Sequence, residues 1–179
     1  MAHLSRDRAE VGVTVGLVGH PGAGVVEGLR ATRARFAPET RGPLRYGQLQ
    51  TGRFVSFSHW PRIKSRRRRL RVDVVGGDVA RPDEVALLMG NIDALVVFGH
   101  DEASLVRRNH DVSAALPGLD VPRVYGLSTS GDPDGAATPP RVVRGLARDP
   151  EVLHGDLAAA LRAATAAALA RITRPRALR

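Results

Sequence analysis

Apolar residues along this chain fall into short unbroken runs separated by amphipathic stretches. GVTVGLVG (12–19) and DALVVFG (93–99) are runs of strand length rich in β-branched residues, the pattern of strands buried on both faces. VPRVYGL (121–127) and EVLHG (151–155) read as further strands. RFVSFSHW (53–60) and RLRVDVVGG (69–77) alternate instead, with Leu70, Val72 and Val74 on one face. Between the runs the period changes to that of a helix. GVVEGLRATRARF (24–36) spaces Val25, Val26, Leu29, Thr32 and Phe36 on one side and its arginines on the other. RPDEVALLMGNI (81–92) carries proline and then acids in its first turn, as helix starts prefer. DEASLVRRNHDVSAAL (101–116) runs into Pro117-Gly118, residues 141–147 suggest one short helix, and DLAAALRAATAAALARIT (156–173) a long alanine-rich one. Residues 37–52 and 128–140, dense in Pro, Gly, Ser and Thr, read as loops.

The resulting order, β-α-β-β-α-β-α-β-α-β-α, predicts an α/β fold of three layers, α/β/α. Its sheet has six strands and is mostly parallel. The adjacent runs at 53–60 and 69–77 are expected to form one antiparallel edge hairpin, leaving the 53–60 strand open for sheet addition. Ligands of such sheets sit beyond the carboxyl ends of the strands. The turns expected at 19–24 and 73–77 are the places to look.

A chain of 179 residues with 43% hydrophobic and 25% charged residues suits one globular domain. The expected division is a short N-terminus (1–10), the domain (11–173) and a basic tail (174–179). Cysteine is absent, which removes disulfides and thiolate metal sites. No apolar run reaches the ~18 residues of a membrane span and MAHLSRDRAE lacks a signal-like segment, so a cytoplasmic protein is expected. The net charge of +9 is unevenly placed: residues 1–72 hold 15 Lys+Arg against 4 Asp+Glu, leaving 12 against 14 for the remainder. The excess concentrates in RIKSRRRRLR (62–71), with Arg62, Lys64, Arg66, Arg67, Arg68, Arg69 and Arg71.

The candidate chemistry lies in GLVGHPGAGVVEGL (16–29). Gly19 and Gly24 stand at the G-x-x-x-x-G spacing of a phosphate loop, with His20, Pro21, Gly22 and Ala23 between them. The next two positions, lysine and Ser/Thr where a phosphate loop works, are Val25 and Val26. An aliphatic side chain neither pairs with phosphate nor holds Mg²⁺. The glycines are read first as a tight strand-to-helix turn, and second as a weak anion loop built from backbone amides.

Taken in order, these segments resemble the small Ras-like GTPases. GHPGAGVV (19–26) takes the place of the phosphate loop and DVVGG (73–77) that of the D-x-x-G switch II motif, with Asp73, Gly76 and Gly77. TGRFVSFSHWP (51–61) and EVLHGDLAAALRAATAAAL resemble the switch I end, second strand, last strand and final helix of the bacterial MglA family and of conservon-type GTPases. The resemblance implies a P-loop GTPase-like fold, Thr51 as a switch I threonine, and a roadblock-type regulator or another small GTPase as protein partner. It also exposes departures. Gly77 stands where a catalytic glutamine is usual, Phe54 where a second threonine is usual, and STSGD replaces the guanine-reading motif, with Asp132 out of register.

Losing the lysine, the metal ligand and the base-reading carboxylate removes roughly 4–8 kcal/mol, at about 1.5–3 kcal/mol for each charged hydrogen bond. A complex of about 1 μM has only ~8 kcal/mol in total. The expectation is therefore a pseudo-GTPase: no catalytic residue, no metal, no cofactor beyond weak GTP, GDP or anion binding, and a role in binding proteins. The alternatives are an unorthodox weak nucleotide switch that borrows an arginine from elsewhere, and a basic adaptor for nucleic acid or anionic surfaces through 62–71. The lack of interleaved aromatics, Trp60 excepted, counts against nucleic acid. His20 is read as a turn residue, Asp73 as a structural carboxylate, and the arginine run as a solvated hairpin tip or an acidic partner's dock. His100, Asp101 and Glu102, like His110 and Asp111, lack metal-motif spacing, and Ser128, Thr129 and Ser130 have no base nearby in sequence.

Overall fold

The computed structural model describes residues 4–5, 10–62, 69–99, 102–127 and 157–173. Their strands are β1 (Leu4–Ser5), β2 (Glu10–Gly19), β3 (Arg45–Gln48), β4 (Arg53–His59), β5 (Arg69–Asp78), β6 (Ala94–Gly99) and β7 (Arg123–Leu127). The helices are α1 (Val25–Arg35), α2 (Pro82–Met89), α3 (Glu102–Ala115) and α4 (Leu157–Thr173), with a 3₁₀ turn at Pro38–Thr40. The expected strand at 151–155, the short helix at 141–147 and the tail at 174–179 lie outside the described residues; of the N-terminus expected at 1–10, Leu4–Ser5 form β1 and Glu10 begins β2.

The strands form one sheet in the order β3-β4-β5-β2-β6-β7, and β1 pairs antiparallel with the start of β2. β5, β2, β6 and β7 are parallel, in register Thr14↔Asp73, Leu17↔Val96 and Val96↔Val124. β4 is antiparallel to β5 and β3 to β4. The sheet is thus mostly parallel with an antiparallel edge, as the alternation of strands and helices predicts.

Each face carries its own core. Val13, Val15 and Leu17 of β2 pack with Val72, Val74, Val96 and Val124 beneath α1 and α4. On the other face Val18, Leu95 and Val97 pack with Val85, Met89, Leu105 and Val112 of α2 and α3. Two buried faces explain the continuous apolar runs of β2 and β6. β5 alternates, because beyond α2 its second face is polar: Ser58, Arg71 and Asp73 stand together there, Ser58 Oγ donating to Asp73 Oδ1 at 2.6 Å and Arg71 Nε at 3.0 Å.

Two expectations are corrected. The segment read as loop contains β3, so the open edge of the sheet is β3 and not the 53–60 strand. Arg45, Tyr46 and Gln48 of β3 are exposed and only Gly47 is partly buried, and an edge strand with little to bury has no apolar alternation to read. Residues 73–77 are not a turn, since β5 continues to Asp78, and Asp73 lies five residues short of its end.

Candidate functional site

The loop from Gly19 to Gly24 joins the carboxyl end of β2 to α1, where the sequence puts it. Ala23 N–H donates to His20 C=O at 2.9 Å, closing a turn. Gly22 and Gly24 take φ of 85° and 77°, a region that favours glycine because it has no Cβ to clash. His20 is half-buried, while Pro21 and Gly22 are exposed.

The loop folds inward on carbon. Ala23, Val25 and Val26 are all buried in the α1–α4 core. A Cβ placed on Gly19 would lie 2.8 Å from both the Ala23 methyl and Val25 Cγ2. The two valines at the lysine and Ser/Thr positions are therefore buried side chains of the core.

The free amides that open α1 meet a carboxylate from the chain itself. Val25 N–H donates to Asp78 Oδ1 at 3.1 Å, and the Val26 amide acts on the same carboxylate. Asp78 ends β5 directly opposite Gly19. Burial raises its pKa above the usual 3.8, against the two amides and Arg53, which favour the charged form. A carboxylate here satisfies the helix dipole and occupies the donors that a phosphate would use.

Behind the loop lies Arg108 of α3, completely buried. Its Nη2 donates to Gly19 C=O at 3.2 Å and to Val79 C=O, while Nε and Nη1 have no hydrogen-bond partner among the described residues. Desolvation lowers its pKa, opposed by the charges of Asp111 and Asp78. The guanidinium ties together the ends of β2 and β5, the two strands that frame the loop.

Thr51, which the resemblance offers as a switch threonine, lies on the turn between β3 and β4. Its hydroxyl donates to Glu84 Oε2 and its N–H to Glu84 Oε1 at 3.0 Å. Arg81 Nη1 reaches Gln50 Oε1 at 2.7 Å. Glu84 belongs to the first turn of α2, and the Thr51 bonds hold its pKa below the ordinary 4.5. The turn and α2 are latched to one another.

The remaining expected site residues disperse. Gly76 and Gly77 are mid-sheet, paired with Leu17 and Val18, and Asp73 faces away from the loop on the polar face. Of the basic run, Arg62, Arg69 and Arg71 are described, at the ends of β4 and β5; Lys64, Arg66, Arg67 and Arg68 lie outside the described residues, as do His100, Asp101, Ser128, Thr129, Ser130 and Asp132. Among the described residues no group of three or more His, Asp or Glu is placed to hold a metal ion. No helix among them is long and apolar enough to cross a membrane.

Asp78, Glu84 and Arg108 were not anticipated. Asp78 is the residue after DVVGG, hidden by ending the strand one position early. Arg108 had a signal: it stands in the apolar stripe with Leu105 and Val112, at the i, i+3, i+7 spacing of a buried face. No protein-family model matches the chain, and no curated protein matches it at a significant level.

Proposed function

We propose that this chain is a small-GTPase-like protein that does not turn over nucleotide and acts by binding other proteins. The observation that carries the reading is the Asp78 carboxylate on the first amide of α1, with Val25 and Val26 buried beside it. An anion supplied by the chain and an aliphatic plug stand where phosphate, lysine and metal ligand would be needed. The strand order, with an antiparallel strand beside a parallel set and a glycine loop after the central β2, fits the Ras-like topology that the motifs suggest. The Glu84 latch fits a surface held in one conformation. The partner suggested by the resemblance is a roadblock-type regulator or a second small GTPase.

The second reading, an unorthodox nucleotide switch, draws on Arg108 as the borrowed arginine, because two of its nitrogens have no partner among the described residues. Titration calorimetry with GTP, GDP and ATP in Mg²⁺ separates the two. The first reading expects no binding tighter than the millimolar range. A dissociation constant below about 10 μM overturns it.

A further inference from the structure

On the face of the sheet that α2 and α3 cover, the cover ends within β2. At Gly16 the helix is close: a Cβ there would lie 2.5 Å from Met89 Sδ. Two residues earlier, at Thr14, a polar row begins. Thr14 stands beside Asp73 on β5, and Asp73 beside Ser58 on β4. Opposed residues of neighbouring strands share a face, and so do residues two apart along a strand. The same face therefore holds Arg71, Ser56 and, opposite Ser56, Arg45 of β3. Together they line a cleft of about 210 Å³.

The cleft holds two guanidinium groups against one carboxylate, and that carboxylate is engaged. Asp73 Oδ1 accepts from Ser58 Oγ at 2.6 Å and from Arg71 Nε at 3.0 Å. The bond through Nε fixes the Arg71 fork and leaves its two Nη nitrogens without a hydrogen-bond partner among the described residues. The Arg71 and Asp73 side chains are 38% and 32% exposed, so solvent reaches the pair. Arg45 is exposed, and its side chain has no ion pair or hydrogen bond among the described residues. The hydroxyls of Thr14 and Ser56, both half-buried, have no hydrogen-bond partner among them either.

We propose that this cleft binds a phosphate group, free or as the head of a small monoester. Guanidinium forks match phosphate oxygens in pairs, and the two hydroxyls can donate to a further oxygen. A carboxylate has two oxygens in one plane and does not meet donors from β2, β3 and β5 together. The volume is below the roughly 300–1,000 Å³ of pockets that enclose larger ligands, which suits one phosphate with few further atoms and not a nucleotide. The glycine loop lies apart, beginning at Gly19, about 16 Å along β2 from Thr14. The proposal is independent of the protein-binding reading.

The test adds inorganic phosphate, methyl phosphate or acetate to the full chain in phosphate-free buffer and follows each by NMR of the added ion. Phosphate is expected to bind saturably, with a dissociation constant of about 1 mM or tighter, and more weakly as salt is raised. Arg45→Gln and Arg71→Gln each weaken it about tenfold, the worth of one charge-assisted hydrogen bond. Arg162→Gln, which alters an exposed arginine of α4 on the other face, leaves it unchanged. The Arg45 side chain holds nothing in place, so its variant probes the site without touching the fold, and thermal unfolding checks Arg71→Gln. Methyl phosphate binding as tightly as inorganic phosphate assigns the cleft to a monoester head; weaker binding assigns it to the free ion. The proposal is overturned if neither phosphate saturates up to about 10 mM or if acetate binds equally well. It is also overturned if Arg45→Gln leaves the affinity unchanged, which would place the anion elsewhere, as at the amides of the glycine loop.

Discussion

The carboxylate of Asp78 lies 3.1 Å from the backbone nitrogen of Val25 and accepts its hydrogen. One residue at the end of a strand thereby meets the electrostatic demand of a helix that begins without a side-chain cap of its own. The arrangement sets the behaviour of the loop under mutation and pH.

Burial raises the pKa of Asp78, so in the folded state this group holds its proton to higher pH than it does unfolded. Between those two values the native state binds more protons, and stability contributed at this site falls as pH rises. The stability of the native protein relative to Asp78→Asn should therefore decline as pH rises from about 3.8 through the raised value. Urea denaturation of both proteins across that range checks it; a difference that grows with pH contradicts the assignment.

Placing lysine and threonine at positions 25 and 26 should not create a nucleotide site. In Val25→Lys/Val26→Thr the ammonium enters a site lined by Ala23 and core aliphatics, and Asp78 still holds the α1 amides. The double variant is expected to lose about 3 kcal/mol or more and to bind no Mg·GTP in calorimetry. Tight binding by this variant would show that the pocket was vacant and not filled.

Arg108 is a charged residue used as packing. Arg108→Met keeps most of the volume and removes a charge two of whose nitrogens have no partner among the described residues; Gly19 C=O keeps the Val79 N–H at 3.2 Å, and Val79 C=O loses the Nη2 donor. Its cost should stay below about 1.5 kcal/mol. Arg108→Ala opens a cavity behind the loop and should cost roughly 2–5 kcal/mol. Chemical denaturation of the pair distinguishes packing from a required charge.

The Glu84 latch has a local readout. Glu84→Ala removes the acceptor of the Thr51 N–H and hydroxyl, and amide exchange at Thr51 should accelerate while that of Val15 and Val96 in the central strands is unchanged. Because the Glu84 pKa is lowered, its contribution is present above the usual 4.5 and fades as pH falls below it. In the native protein, Thr51 exchange corrected for intrinsic rate should rise on acidification in that range.

Much of the architecture was legible in one dimension. The apolar runs of β2 and β6, the helical spacing of Val25, Val26, Leu29 and Thr32, and the alternation of strands with helices follow from local rules: period, turn chemistry and burial on two faces. They place the glycine loop correctly at the end of β2, and the two valines correctly in the core, because an aliphatic residue at a helix start beside a sheet has nowhere better to go. What these rules could not supply was pairing across distance. β3 was invisible because an exposed edge strand is ordered by its hydrogen bonds to β4 and by little of its own composition. That Asp78 and not Asp73 faces the loop depends on the register of β5 against β2, where a few residues along the strand move a carboxylate from the polar face to the loop. The burial of Arg108 and the bond from Thr51 to Glu84 join residues 29 to 89 positions apart, and such contacts exist only once the sheet has brought its strand ends to one edge.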